Sequence, residues 1–105
     1  MSYKLFIDDE RYPPMSQPDW MIVRNSSTAI KAVQEHGMPS FISFDHDLGG
    51  EDTTMVFLSW FEDQLIDGML AFPENFNYYV HSQNPVGVNN IKGKMDSFIK
   101  HFKKG

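Results

Sequence analysis

The chain has 105 residues, a net charge of −5 and 41% hydrophobic residues including nine phenylalanines, which describes one folded domain too acidic to coat nucleic acid broadly. It contains no cysteine, excluding a disulfide framework, a thiol nucleophile and a cysteine zinc cluster. No apolar run approaches membrane-spanning length and the opening Met-Ser-Tyr-Lys-Leu lacks a signal-peptide core, so a cytoplasmic, soluble single domain over residues 1–105 is expected, with no membrane contact.

Residues 4–8 read as a short buried strand with Asp8 at its exit. The connection from Glu10 to Asp19 carries Pro13, Pro14 and Pro18, which forbid an ordinary helix and predict an irregular loop. Trp20 to Val23 reads as the second strand. Asn25-Ser26-Ser27 offers helix-capping oxygens, Ala29, Ile30, Ala32 and Val33 an apolar face, and Gly37 with Pro39 a stop.

A third strand is expected over residues 41–45, followed by a turn at Gly49-Gly50. Asp52 or Thr53 can then cap a helix running to Leu65 or Ile66, with Phe57, Leu58, Phe61 and Leu65 on one stripe and Gly68 as terminator. Residues 71–77 read as a loop and 78–81 as the fourth strand. Asn84-Pro85 has the form of an N-cap with proline at the first helical position, and Val88, Ile91, Met95, Phe98 and Phe102 make one stripe on the last helix. Gly87 and Gly93 lower its propensity, so an irregular first turn is expected.

The order β-β-α-β-α-β-α predicts a small, mostly parallel four-stranded α/β sheet in the order 2-1-3-4, flanked by about three helices. Right-handed crossovers would place helices on both faces. The switch point then falls between the first and third strands, where α/β sheets bind ligands. Three strands end in chemistry at that edge: one runs into Asp8-Asp9-Glu10-Arg11, one into Asp45-His46-Asp47-Leu48-Gly49, and one into His81-Ser82-Gln83-Asn84.

Paired acids after the first strand, Asp45 after the third and Ser82 after the fourth make the chain resemble the receiver superfamily of two-component signalling. In ordinary receivers the acids hold magnesium, the third-strand aspartate accepts a phosphoryl group and the hydroxyl contacts it. Here the first helix is expected to be replaced by the proline loop, and a fifth strand with its phosphate-binding lysine is expected to be missing. The set Asp8-Asp9-Glu10-Arg11, Phe44-Asp45-His46-Asp47-Leu48-Gly49 and His81-Ser82-Gln83-Asn84-Pro85 is similar to the receiver-derived family named for cyclic-phosphate processing. That resemblance implies a link to RNA-end repair and nucleotide conflict systems, with a small cyclic nucleotide or an RNA 2′,3′-cyclic phosphate end as partner.

Carboxylates converging at one edge repel one another unless a cation or protons compensate, and hard oxygen ligands suit Mg²⁺ or Mn²⁺. Asp8, Asp9 and Asp45 are the expected ligands, with Asp47 either joining them or capping the glycine turn. His81 or His46 is the candidate general acid–base, since an unperturbed pKa of about 6.5 suits both tasks. Strand alternation puts His46 on the face opposite Asp45 and Asp47, so packing behind the site is its competing role. Arg11 and Ser82 can stabilise phosphoryl charge, and Asn84 either binds the anion or simply caps the last helix. Tyr12 and Trp20 are either core rings or platforms for a base. The expected activity is metal-assisted hydrolysis of a cyclic phosphodiester. The alternatives are a non-catalytic module that binds a phosphorylated nucleotide or a partner protein, and a regulator phosphorylated on Asp45.

Overall fold

Four short apolar runs pair side by side in the computed structural model, which describes residues 3–13 and 20–103. β1 (Lys4–Ile7), β2 (Trp20–Val23), β3 (Phe41–Phe44) and β4 (Asn77–Val80) form one all-parallel sheet in the order β2-β1-β3-β4. Phe6 pairs with Ile22 on one side and Ser43 on the other, and Ser43 pairs in turn with Tyr79. The strand ends are therefore level, and the residues after Ile7, Phe44 and Val80 emerge together.

The described residues hold three helices: α1 (Ser26–His36), α2 (Thr54–Ile66) and α3 (Pro85–Phe102). Their starts are set by local chemistry. Asn25 and Thr28 form a reciprocal capping box on α1, Thr53 caps α2, and the Asn84 side chain accepts the Gly87 N–H beside Pro85 on α3. Asp52 adds a tie between segments, its carboxylate accepting both the N–H and the hydroxyl of Ser26 at 2.8 and 2.6 Å.

Alternate strand residues Leu5, Ile7, Val23, Ile42, Phe44 and Val80 join one core with apolar residues from all three helices. Phe57, Phe61, Ile91 and Met95 are fully buried there. The helices, expected on both faces, all lie on this one. Only the β1–β2 connection could carry a helix to the second face, and its described part, residues 8–13, contains none. The irregular loop expected from Glu10 to Asp19 holds neither helix nor strand over its described residues, 10–13, and its remainder, 14–19, lies outside the described residues. The second face carries Lys4, Phe6, Trp20, Phe41, Ser43 and Tyr79, which line a cavity of about 430 Å³.

The irregular first turn expected of α3 is also absent, since the helix is regular from Pro85. Gly87 serves close approach: a Cβ there would lie 2.5 Å from the His46 ring. Among the described residues no helix is long and apolar enough to cross a membrane.

Candidate functional site

Alternation along β1 and β3 carries the pattern of the second face one step beyond the strands. Asp8 follows Lys4 and Phe6, Asp45 follows Phe41 and Ser43, and His81 follows Tyr79, so all three emerge at the same edge of the same face. The backbone locks them there, with the Asp45 N–H donating to Ile7 O and the His81 N–H to Phe44 O, both at 2.9 Å.

Asp8 is fully buried, and both of its carboxylate oxygens have protein partners. Its Oδ1 accepts the backbone N–H groups of Glu10 and Arg11, each at 2.9 Å. Its Oδ2 meets His81 Nε2 at 2.8 Å and Arg11 Nε at 3.3 Å. Burial pushes this carboxyl up, but the Arg11 and Glu10 N–H groups and the His81 ring together hold it below the usual carboxylate range. Asp8 is therefore an anion in the fold. The proton between the two groups then sits on His81 Nε2, and Nδ1 lies 2.7 Å from Ser43 Oγ, where the neutral ring would accept the hydroxyl proton. Phe6 stacks flat on the imidazole, with centroids 4.7 Å apart and planes within 5°, fixing the ring's orientation.

Asp45 has a different environment. Its Oδ1 accepts the His46 N–H at 2.9 Å. Burial drives its pKa up, the His46 N–H opposes that, and the charge of Asp8 adds to the rise. Asp8, Asp9 and Asp45 can each present an oxygen with all three atoms within 4.8 Å of one another. A buried carboxylate whose ionised form is disfavoured, beside two more acids, fits the donor set of a hard divalent cation, which would remove the repulsion.

The other expected site residues divide cleanly. Arg11 is at the edge, pairing with Asp8 and reaching the His81 carbonyl at 3.4 Å. His46 is not brought into the group: its ring lies against Gly87 of α3 and its Nδ1 meets Asp47 Oδ1 at 3.1 Å. Asp47 is exposed, forms a bridge with Thr53, and is outside the carboxylate cluster. Ser82 Oγ accepts the Asn84 N–H at 3.1 Å, while Asn84 caps α3. Tyr12 is exposed and stacks under Arg24, and Trp20 packs edge-on against Phe6 and Phe41.

Two contributors were not among the residues singled out from the sequence. Ser43 was submerged in the apolar run of β3, although its position two residues before Asp45 marks the same face. Arg24 donates to the carbonyls of Asp8 and Arg11 at 3.0 and 2.6 Å and so pins the acidic turn. Nothing in its local sequence signals this.

An all-parallel 2-1-3-4 sheet with paired acids after β1 and an aspartate after β3 defines a receiver-like α/β domain. Residues 3–97 match the model of the cyclic-phosphate processing receiver domain, and the chain belongs to that family. No curated protein and no solved structure matches it.

Proposed function

We propose that the domain hydrolyses a cyclic phosphodiester on a nucleotide or an RNA end, assisted by Mg²⁺ or Mn²⁺. The observation that carries this reading is the Asp8–His81–Ser43 chain, an anion, an imidazole and a hydroxyl linked at 2.8 and 2.7 Å, lying beside the carboxylate cluster. Asp8, Asp9 and Asp45 would hold the metal, which when bound polarises phosphoryl oxygens and acidifies water.

Asp8 holds the His81 tautomer in which Nδ1 is the free base. As a water oxygen forms its bond to phosphorus, its proton passes to Ser43 Oγ while the Ser43 proton moves to Nδ1 of His81. The resulting imidazolium is stabilised by Asp8 at 2.8 Å. The bond from phosphorus to one ribose oxygen breaks, that oxygen takes a proton from solvent, and a phosphomonoester remains. Arg11, half-exposed beside Asp8, supplies positive charge to the phosphoryl oxygens. His81 later returns its proton to solvent.

One observation favours a non-catalytic binding module instead: both nitrogens of His81 and both oxygens of Asp8 already have protein partners. Turnover separates the readings. The test incubates nucleoside 2′,3′- and 3′,5′-cyclic phosphates and a cyclic-phosphate-ended RNA with Mg²⁺, Mn²⁺ or EDTA, reading products by ³¹P NMR. Ring opening with metal that stops with EDTA is expected. Binding without product would establish the module reading, and neither binding nor product would remove both.

A further inference from the structure

The cavity on the second sheet face is unused by the proton relay but continuous with it, since Arg11, Ser43 and His81 line both. Its remaining walls are largely aromatic: Phe6, Trp20, Phe41, Tyr79 and Tyr12. A volume of about 430 Å³ lies within the range of small-ligand sites, roughly 300–1,000 Å³. Two features remain unexplained by packing alone. Tyr79 is 61% exposed on an edge strand, and Trp20 Nε1 is buried with no hydrogen-bond partner among the described residues. Buried donors are nearly always paired, so an acceptor is owed to that indole.

A ligand matching these walls has a flat aromatic body with a ring acceptor at one end and an anionic group at the other. Resting on the reading of the edge as a cyclic-phosphate site, we infer that the cavity is a nucleobase subsite. The base stacks among the rings, the sugar carries the phosphate to Arg11 and His81, and a turn of the Trp20 ring, whose N–H is otherwise closed off, brings that donor to the base's acceptor. Aromatic platforms suit this because every base has a π face, and an orphan indole N–H adds a directional contact that a bare sugar phosphate could not use. The substrate class is therefore nucleoside cyclic phosphates and nucleotide ends, rather than cyclic phosphates on simple sugars or polyols.

The test compares binding of adenosine and uridine 2′,3′-cyclic phosphates, 1-O-methylribose 2′,3′-cyclic phosphate (which lacks the base), and the free nucleosides. Affinity is read by calorimetry, and the Trp20 indole N–H is followed by ¹H–¹⁵N NMR. Nucleoside cyclic phosphates are expected to shift that resonance and to bind roughly 5- to 100-fold tighter than the base-free analogue, the scale of one stacked base. Tyr79→Ala, at an exposed position, and Trp20→Phe, which keeps the ring but removes the donor, should each narrow that gap. Equal affinity for the base-free and nucleoside cyclic phosphates, with a stationary indole signal, overturns the subsite while leaving the cyclic-phosphate reading intact. Indole shifts with free nucleosides that bind as tightly as their cyclic phosphates support the subsite and count against that reading of the edge. No binding by any probe overturns the subsite.

Discussion

The two faces of the sheet are built from alternate residues of the same four strands, yet they follow opposite rules. One face is sealed: Leu5, Ile7, Ile42 and Phe44 have no exposure and three helices lie on them. The other carries aromatic rings around a cavity and ends in Asp8, Asp45 and His81. His46 and His81 show the contrast at single-residue scale. Both follow strands and both touch an aspartate, but His46 faces α3 and fills the notch at Gly87, whereas His81 faces the cavity and joins Asp8 to Ser43. Adjacency to a carboxylate is common to both histidines; the face each one occupies separates them.

The widest separation between the faces is expected in turnover. His81→Ala should lower the rate of cyclic-phosphate opening by roughly 10²–10⁴. His46→Ala should change it only a few-fold, its cost appearing as a lower melting temperature instead. Equal losses in the two variants would erase the distinction. Ser43→Ala should fall with His81→Ala, and combining them should cost little more than either alone, because both act in one relay.

Gly87→Ala should destabilise by about 1–3 kcal/mol in denaturant unfolding, since the added Cβ must displace the His46 ring. Coupling it with His46→Ala should restore only part of that loss, because the His46 Cβ that alanine keeps would still lie 2.7 Å from the added methyl. Coupling it with His46→Gly should restore more, and equal recovery in the two double variants would mean that the ring alone is the obstacle.

The two buried aspartates should respond oppositely to neutralisation. Asp8 has a lowered pKa, so its ionised form stabilises the fold above the unfolded value of 3.8, and that contribution is lost as pH falls through its folded pKa. Asp8→Asn should therefore cost about 1.5–3 kcal/mol at neutral pH, with the gap to the parent closing in acid. Asp45 has a raised pKa, so its ionised form is the unfavourable one, and the parent gains stability as pH falls from that value towards 3.8. Asp45→Asn should raise stability at neutral pH by up to about 1 kcal/mol, an advantage that fades in acid. It should also abolish Mg²⁺ binding in a calorimetric titration. The smallest effect is expected from Tyr79→Ala, within about 0.5 kcal/mol of the parent in stability, because the ring is already largely in water.

Much of the architecture was legible because its signals are local. Short apolar runs ending in polar residues located the strands, Asn25-Ser26-Ser27, Asp52 or Thr53, and Asn84 marked the helix starts, and the helical stripes followed from spacing. The 2-1-3-4 order followed from general rules of parallel sheets. What escaped depends on residues far apart in sequence. Ser43 gains its partner from His81, 38 positions on, and Arg24 finds the carbonyls of Asp8 and Arg11 across a strand pair. Gly87 reads as a weak helix residue until the His46 ring is placed against it. The helices fall on one face for a similar reason, since patterning locates each apolar stripe but does not say which side of the sheet receives it.

The in-line register of four-residue strands has a consequence for how this chain can change. Core and cavity occupy odd and even steps of one ladder, so deleting a single residue such as Ile42 would exchange them along β3. It would turn Ser43 inward among the helices and Phe44 outward into the cavity. No compensating substitution at one site could repair both faces. Length changes are therefore barred from the strands and admitted in the turns, as between Gly68 and Phe76, where no alternation is at stake.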